Sequence, residues 1–291
     1  MESSSGDSDD SSSSSHSNGL TSSSSPPQPS QRWVAEDPFI LYDLKERQDL
    51  RQSLLARFYD EFLPTYFPFE DELEPVEVWE EMMDPDYKDS VFHVVVAFDR
   101  EDRELKEILG GCVFEFGRES GCGLISYFVV SPMCRGKGLG RLLIERSVEI
   151  THADARAAGL KGGCPAIFAE TNDPTKVKAE EDTVPPEVRV RMLQRIGFKR
   201  LEMEFVQPPL QEGKNPCANL WLLVYQPEKE EEGRERTSLP AELLLRWVNE
   251  YWRACCAYFD PDYERSYVEL RAMRMELSSK ESVRIVDIVP S

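Results

Sequence analysis

One segment constrains this chain more than any other. An apolar run at 124–130 leads into Ser131-Pro132-Met133-Cys134-Arg135-Gly136-Lys137-Gly138-Leu139-Gly140-Arg141. The run reads as a buried strand, and the apolar residues after Gly138 (Leu139, Leu142, Leu143, Ile144, Val148 and Ile150) fit one broad helix face. The glycines therefore stand at a strand-to-helix turn. They let backbone N–H groups approach a ligand without Cβ obstruction, and the first helical turn has N–H groups with no internal partner. Such a turn suits a diphosphate. Arg135, Lys137 and Arg141 place cations there, although the chain's formal net charge is -20.

Glycine-rich helix starts also occur with no ligand, so the exact pattern matters. A G-x-G-x-x-G dinucleotide fingerprint fails because Leu143 stands where the third glycine should follow Gly138 and Gly140, and a P-loop fails because Gly138 follows Lys137. What fits is Arg-x-x-Gly-x-Gly, carried by Arg135, Gly138 and Gly140. Around it, hydrophobic patterning predicts strands at 39–44, 91–98, 109–116, 123–130, 166–170, 200–206 and 218–225, with helices at 50–62 and 187–196. The second of those helices ends in Ile196-Gly197-Phe198, with Gly197 placed as a left-handed stop.

The Arg-x-x-Gly-x-Gly turn after a strand ending in Val-Ser-Pro, the order of elements and the Ile-Gly-Phe ending together resemble the GNAT N-acetyltransferase superfamily over residues 33–226. The resemblance implies a mixed α/β sheet that binds acetyl-CoA as co-substrate. It implies a pantetheine arm paired with the backbone of Phe128, Val129 and Val130, and a pyrophosphate on the N–H groups of Arg135, Gly136, Lys137, Gly138, Leu139 and Gly140, with Arg141 nearby. The fourth and fifth strands are expected to splay. Asn172, at the end of the fifth, falls where family members place a polar contact to pantetheine, although asparagine before Asp173-Pro174 is equally ordinary turn chemistry.

Acyl transfer to an amine needs a proton acceptor for the amine, a donor for the oxyanion and a proton for the departing thiolate. Many GNAT enzymes carry a tyrosine where this chain has Leu193, and the histone acetyltransferase branch a glutamate where it has Leu124; both are departures. The candidates that remain are Glu170 as base and Tyr127 as acid, with Glu115 and His93 on neighbouring strands. Each has a plain alternative: a strand-end glutamate facing solvent, an aromatic packed on the sheet, a structural histidine.

Domain organisation follows composition: a disordered serine- and aspartate-rich tail at 1–32, the GNAT domain at 33–226, a charged linker at 227–237 and a helical extension at 238–291. In the extension, Ser238 is expected to cap a helix with Pro240 in its first turn; Leu243, Leu244, Trp247, Val248, Tyr251 and Trp252 form its apolar stripe. Val283 to Val289 resembles a short strand that could join a sheet edge, with a loose terminus as the equal alternative. The tail has neither secretory nor transit character, and no apolar run is long enough to span a membrane, so a cytoplasmic protein is expected. Seven cysteines without C-x-x-C spacing and three separated histidines give no metal pattern. Cys134 beside the turn is read as a packing residue, with a cation-activated thiol as the alternative.

The segment after the first helix crowds Glu70, Asp71, Glu72, Glu74, Glu77, Glu80, Glu81, Asp84 and Asp86 among Phe67, Phe69, Leu73, Val78, Trp79 and Met82. As a wall of the acceptor site it would attract a cationic amine; as a solvated helix face it would do nothing of the kind. The charge balance argues against a nucleic-acid partner. The sequence suits a monomer or a homodimer. It leaves two other functions open: a non-catalytic acyl-CoA sensor and an interaction adaptor on the same scaffold.

Overall fold

The structure, a computed structural model, describes residues 38–67, 73–177, 184–227 and 236–288. The serine-rich tail, most of the charged linker and the acidic residues Glu70, Asp71 and Glu72 lie outside the described residues. Pro38–Ser291 is one compact unit.

The fold is a mixed α/β sheet with helices on both faces. Among the described residues the strands are β1 (Phe39–Asp43), β2 (Ser90–Asp99), β3 (Gly110–Gly117), β4 (Gly123–Val130), β5 (Ile167–Asn172), β6 (Phe198–Leu201), β7 (Leu220–Tyr225), β8 (Ser238–Pro240) and β9 (Ser282–Val286). They form one sheet in the order β1-β2-β3-β4-β5-β7-β6-β9-β8. Every pairing is antiparallel except β4 with β5. The helices are α1 (Gln48–Ala56), α2 (Val76–Met82), α3 (Leu139–Ala157), α4 (Pro186–Ile196), α5 (Ala241–Cys256), α6 (Tyr263–Ser266) and α7 (Val268–Ser278). The predicted helix at 50–62 is α1 continued by one widened turn, Arg57–Phe62.

Strand alternation assigns the faces. Phe114, Ile125, Ile167 and Ala169 turn towards α3 and α4, packing with Leu139, Leu143, Ile144, Val190 and Leu193. On the opposite face, α1 and α2 cover the β2–β4 side through Leu54, Leu55, Trp79 and Met82. There α5 and α7 cover the β5–β7 side. Trp247 and Trp252 of α5 are almost wholly enclosed; at ~25 cal/mol per Å² over roughly 200 Å² each, they contribute on the order of 5 kcal/mol apiece. The C-terminal extension is thus bound into the sheet's second core, and β9 extends the sheet itself by pairing Arg200 with Val286 and Leu201 with Ile285.

Two expectations need correction. Ser238 caps no helix: it pairs with Arg284 in the β8–β9 ladder, and α5 begins after Pro240 without a side-chain cap. The strand expected at 200–206 ends at Leu201, because only Phe198, Lys199 and Arg200 find partners on β7, and the chain beyond turns away to an isolated bridge between Gln207 and Cys217.

His93 is structural, and the reason is geometric. Its Nδ1 lies 2.7 Å from Asp43 Oδ2 of β1 and its Nε2 lies 3.0 Å from Asp154 Oδ2 of α3. The ring stacks on Phe114 at 5.1 Å. Burial opposes its charge, but the two carboxylates prevail and raise its pKa to about 9. A folded-state pKa above the unfolded value of 6.5 gives stability that is complete below that value and fades as pH rises through about 9. His93→Gln is expected to cost about 3 kcal/mol at pH 6 and to flatten the pH dependence between 6.5 and 9. Urea unfolding of both proteins across that range checks it; an unchanged pH profile would contradict it.

Candidate active site

The site begins where the parallel ladder stops. β4 and β5 pair only at Gly123, Leu124 and Ile125 against Ile167, Phe168 and Ala169, yet β4 runs on to Val130 and β5 to Asn172. The register on β3 steps from Phe114–Ile125 to Val113–Tyr127, leaving Ser126 as an extra residue. Such a bulge bends its strand. Beyond it β4 stays with β3 while β5 stays with β7, and a wedge opens between them. Ser131 N donates to Leu109 O at 2.9 Å, so the alternation of an antiparallel ladder turns Val129's groups to β3 and those of Phe128 and Val130 into the wedge.

At the far end of β4 lies the glycine turn. Gly136 and Gly138 have φ of 75° and 91°, values that side chains with a Cβ rarely adopt, and a Cβ at either would meet no protein atom within 4 Å. Their surroundings are open, with Arg135, Lys137 and Arg141 exposed around them. The amides of Arg135 and Lys137 are bonded to Pro132 O at 3.3 Å and Cys134 O at 3.2 Å. Those of Gly136, Gly138, Leu139, Gly140 and Arg141 have no backbone partner among the described residues. Of the expected set, the amides of Arg135 and Lys137 help close the turn. This cradle fits a diphosphate. Arg141's guanidinium is partly engaged, donating to Arg195 O at 2.9 Å and tying α3 to the end of α4.

The opposite sheet face carries acids and phenols. Glu170 Oε2 accepts from Gln207 Nε2 at 2.5 Å, and its enclosed Oε1 has no hydrogen-bond partner. Burial raises its pKa to about 7; Tyr251 and Gln207 act the other way, and Glu74 adds to the rise. Tyr127 packs edge-on against Phe67 at 5.5 Å and beside Trp79 at 5.3 Å. Its hydroxyl accepts from Glu74 N at 3.1 Å, while Glu74 Oε2 accepts from Trp79 Nε1 at 3.1 Å. Of the acidic segment, Glu77, Glu80, Glu81, Asp84 and Asp86 are exposed and only Glu74 turns to this face among the described residues. Among the described residues the wall is acidic through one carboxylate rather than six.

Residues 55–179 match the family model of the acetyltransferase (GNAT) family. Residues 55–179 are an acetyltransferase (GNAT) family domain. Solved structures similar to it include a GNAT-family protein from Bacteroides thetaiotaomicron, 22% identical, covering 67% of this chain and 92% of that one with a TM-score of 0.41. NAA60 of Arabidopsis thaliana in complex with acetyl-CoA is 15% identical, covering 65% of this chain and 98% of that one, TM-score 0.41. An IAA acetyltransferase from Bacillus cereus is 15% identical over 65% of this chain and 99% of that one, TM-score 0.36. No curated protein matches.

Within this GNAT domain the remaining candidates can be placed. Leu193 lies on the buried face of α4, packed into the core. Gly197 ends α4 at φ 117°, its N–H bonded to Leu193 O. Asn172 ends β5 and its carbonyl accepts from Arg189 Nη2 at 3.1 Å; the turn that follows is made by Asp173, whose Oδ1 holds Thr175. Cys134 is buried, and burial raises its thiol pKa despite Lys137, so it packs rather than reacts. Among the described residues no cluster could hold a metal ion, and no helix is long and apolar enough to cross a membrane. Patterning had no means of finding Gln207, Glu74 or Tyr251: the first lies in a loop, the second among eight other acids, and the third on a stripe that reads as core.

Gly138→Val tests the cradle. Strain at φ 91° should cost about 1–2 kcal/mol of stability, while CoA affinity falls at least about tenfold as a side chain blocks the amides. Calorimetric titration of CoA into the folded variant checks this; retained affinity would move the phosphates elsewhere.

Proposed function

We propose that this GNAT protein transfers an acetyl group from acetyl-CoA to a primary amine within a ternary complex. The observation that carries the reading is the wedge between β4 and β5, with free amides at one end and a buried, half-satisfied carboxylate on its other face. The diphosphate of acetyl-CoA is assigned to the amides of Gly136, Gly138, Leu139 and Gly140, with Arg135 and Lys137 adding charge. Phe128 and Val130 offer backbone groups to the pantetheine amides and the thioester, and Asn172 borders the same gap.

Glu170 takes the proton. A carboxylate of pKa about 7 is matched to accepting a proton from an ammonium near neutral pH. The amine nitrogen then attacks the thioester carbonyl, a backbone N–H of β4 steadies the oxyanion, and the carbon–sulfur bond breaks as the thiolate leaves. Tyr127 is assigned a positioning role, because its hydroxyl is held by the Glu74 amide within the aromatic wall. Leu193 has no proton to give, so the thiolate collects its proton from solvent or from the released amine proton. Seven unpaired cysteines support placement in a reducing compartment, in keeping with a cytoplasmic protein.

Release of CoA thiol and the mass of the acetylated product, measured with acetyl-CoA and a panel of amines, test the reading. Turnover is expected, with kcat/KM rising as pH passes about 7. Glu170→Gln should lower kcat by on the order of a hundredfold or more and flatten that rise, whereas Tyr127→Phe should change it less than about tenfold. CoA binding with no turnover for any amine would favour the sensor, which the missing tyrosine at Leu193 suits.

A further inference from the structure

Glu170 follows Phe168 by two residues on β5, so both side chains project to the face that α5 covers. The ring of Phe168 meets that of Trp247 at 4.4 Å between centroids. Two residues along a strand advance about 6.6 Å, and four along a helix about 6 Å. The two advances match, so with Phe168 under Trp247 the next pair along is Glu170 under Tyr251. The Tyr251 ring stacks on Trp247 at 5.2 Å, and its hydroxyl is a hydrogen-bonding neighbour of both Glu170 and Gln207.

Gln207 reaches the same carboxyl from a loop. Its backbone N–H donates to Cys217 O at 2.9 Å and its carbonyl accepts from Cys217 N at 3.0 Å, which pins the residue on both sides. Two residues earlier Phe205, buried in the second core, stacks on Trp247 at 6.1 Å. From this fixed backbone the Gln207 side chain gives its Nε2 to Glu170 Oε2 at 2.5 Å. Oε1 is enclosed and has no hydrogen-bond partner. A carboxylate held by one oxygen keeps its orientation and leaves the lone pairs of the other for a proton. Neither Gln207 nor Tyr251 lies within residues 55–179, the part that matches the GNAT family.

We propose that Gln207 and Tyr251 are positioning residues for the base: Gln207 fixes Glu170 through Oε2 and Tyr251 braces both side chains, so that the proton leaving the amine lands on Oε1. The inference rests on the assignment of Glu170 as that base. As the N–H bond breaks an O–H bond forms at Oε1, and the nitrogen keeps the electron pair with which it attacks the thioester carbon. Both donors favour the charged carboxylate, opposing the burial that raises its pKa. The other titratable neighbours among the described residues are Glu74, which raises Glu170 further, and Tyr127 and Cys255, which burial keeps neutral near pH 7.

The test is the pH profile of kcat/KM for Gln207→Leu and for Tyr251→Phe, which keeps the stacked ring, in the full chain with acetyl-CoA and an amine. Removing either donor disfavours the charged carboxylate, so the midpoint of the rise should move up from about 7 by on the order of one pH unit. Relative to the unaltered protein, activity should then fall about fivefold at pH 7 and less than about twofold at pH 9. Glu74→Gln removes a repelling charge and should move the midpoint down. An unmoved midpoint in Gln207→Leu and Tyr251→Phe, with activity kept or lost equally at every pH, would overturn the positioning role while the transferase reading stands. Carbon-13 NMR of the glutamate carboxyls, with the Glu170 signal assigned by its loss in Glu170→Gln, reads the same shift without turnover. If no amine is acetylated, the transferase reading falls. A Glu170 titration that moves up in both variants then upholds the hold on its carboxyl, and one that stays in place overturns it.

Discussion

The site depends on a hydrogen-bond ladder that ends early. β4 and β5 hold each other for three residues and then part at the Ser126 bulge, each kept straight by its outer neighbour. Unpaired backbone groups in a protein interior are costly unless something meets them. Here the gap lies between two large sheet halves, each with its own core on the face away from α3, so closing it would mean repacking both. The wedge is therefore a stable opening, along which Phe128 and Val130 have no ladder partner on β5.

Rigid parts surround that opening on both sides. α3 brings its first-turn amides to the end of β4, and its far end is anchored through Asp154 to His93, which also grips Asp43. Three elements are thus held by one charged imidazole beneath the helix that presents the cradle. On the other face, α5 brings Tyr251 beside Glu170. The C-terminal extension is part of the core, and loss of α5 would expose Phe168, Leu222 and Val224.

Elements with strong periodicity were legible in the sequence. β2, β3, β4 and α4 appear within a residue or two of where apolar spacing puts them, because each buries the face that its pattern marks. Features set by pairing across the chain were not. Ser238 has the chemistry of a helix cap, and only the arrival of β9 turns it into a strand residue. The strand at Arg200 stops short because a ladder needs a partner as well as β-forming residues. In the candidate site, residue type and position were enough to propose Glu170 and the glycine turn. Which amides the turn consumes, and which of the described acids turns inward, depend on φ angles and on a tyrosine fifty-three residues away from Glu74.

Backbone amide hydrogen exchange, followed by mass spectrometry with and without acetyl-CoA, bears most directly on the central claim. Exchange should slow together in the segment covering Phe128 and Val130 and in that covering Gly136 to Arg141, with the β1–β2 ladder unchanged. Protection confined to other segments, or none at saturating acetyl-CoA, would contradict the placement of the cofactor arm in the wedge and of its diphosphate on the glycine turn.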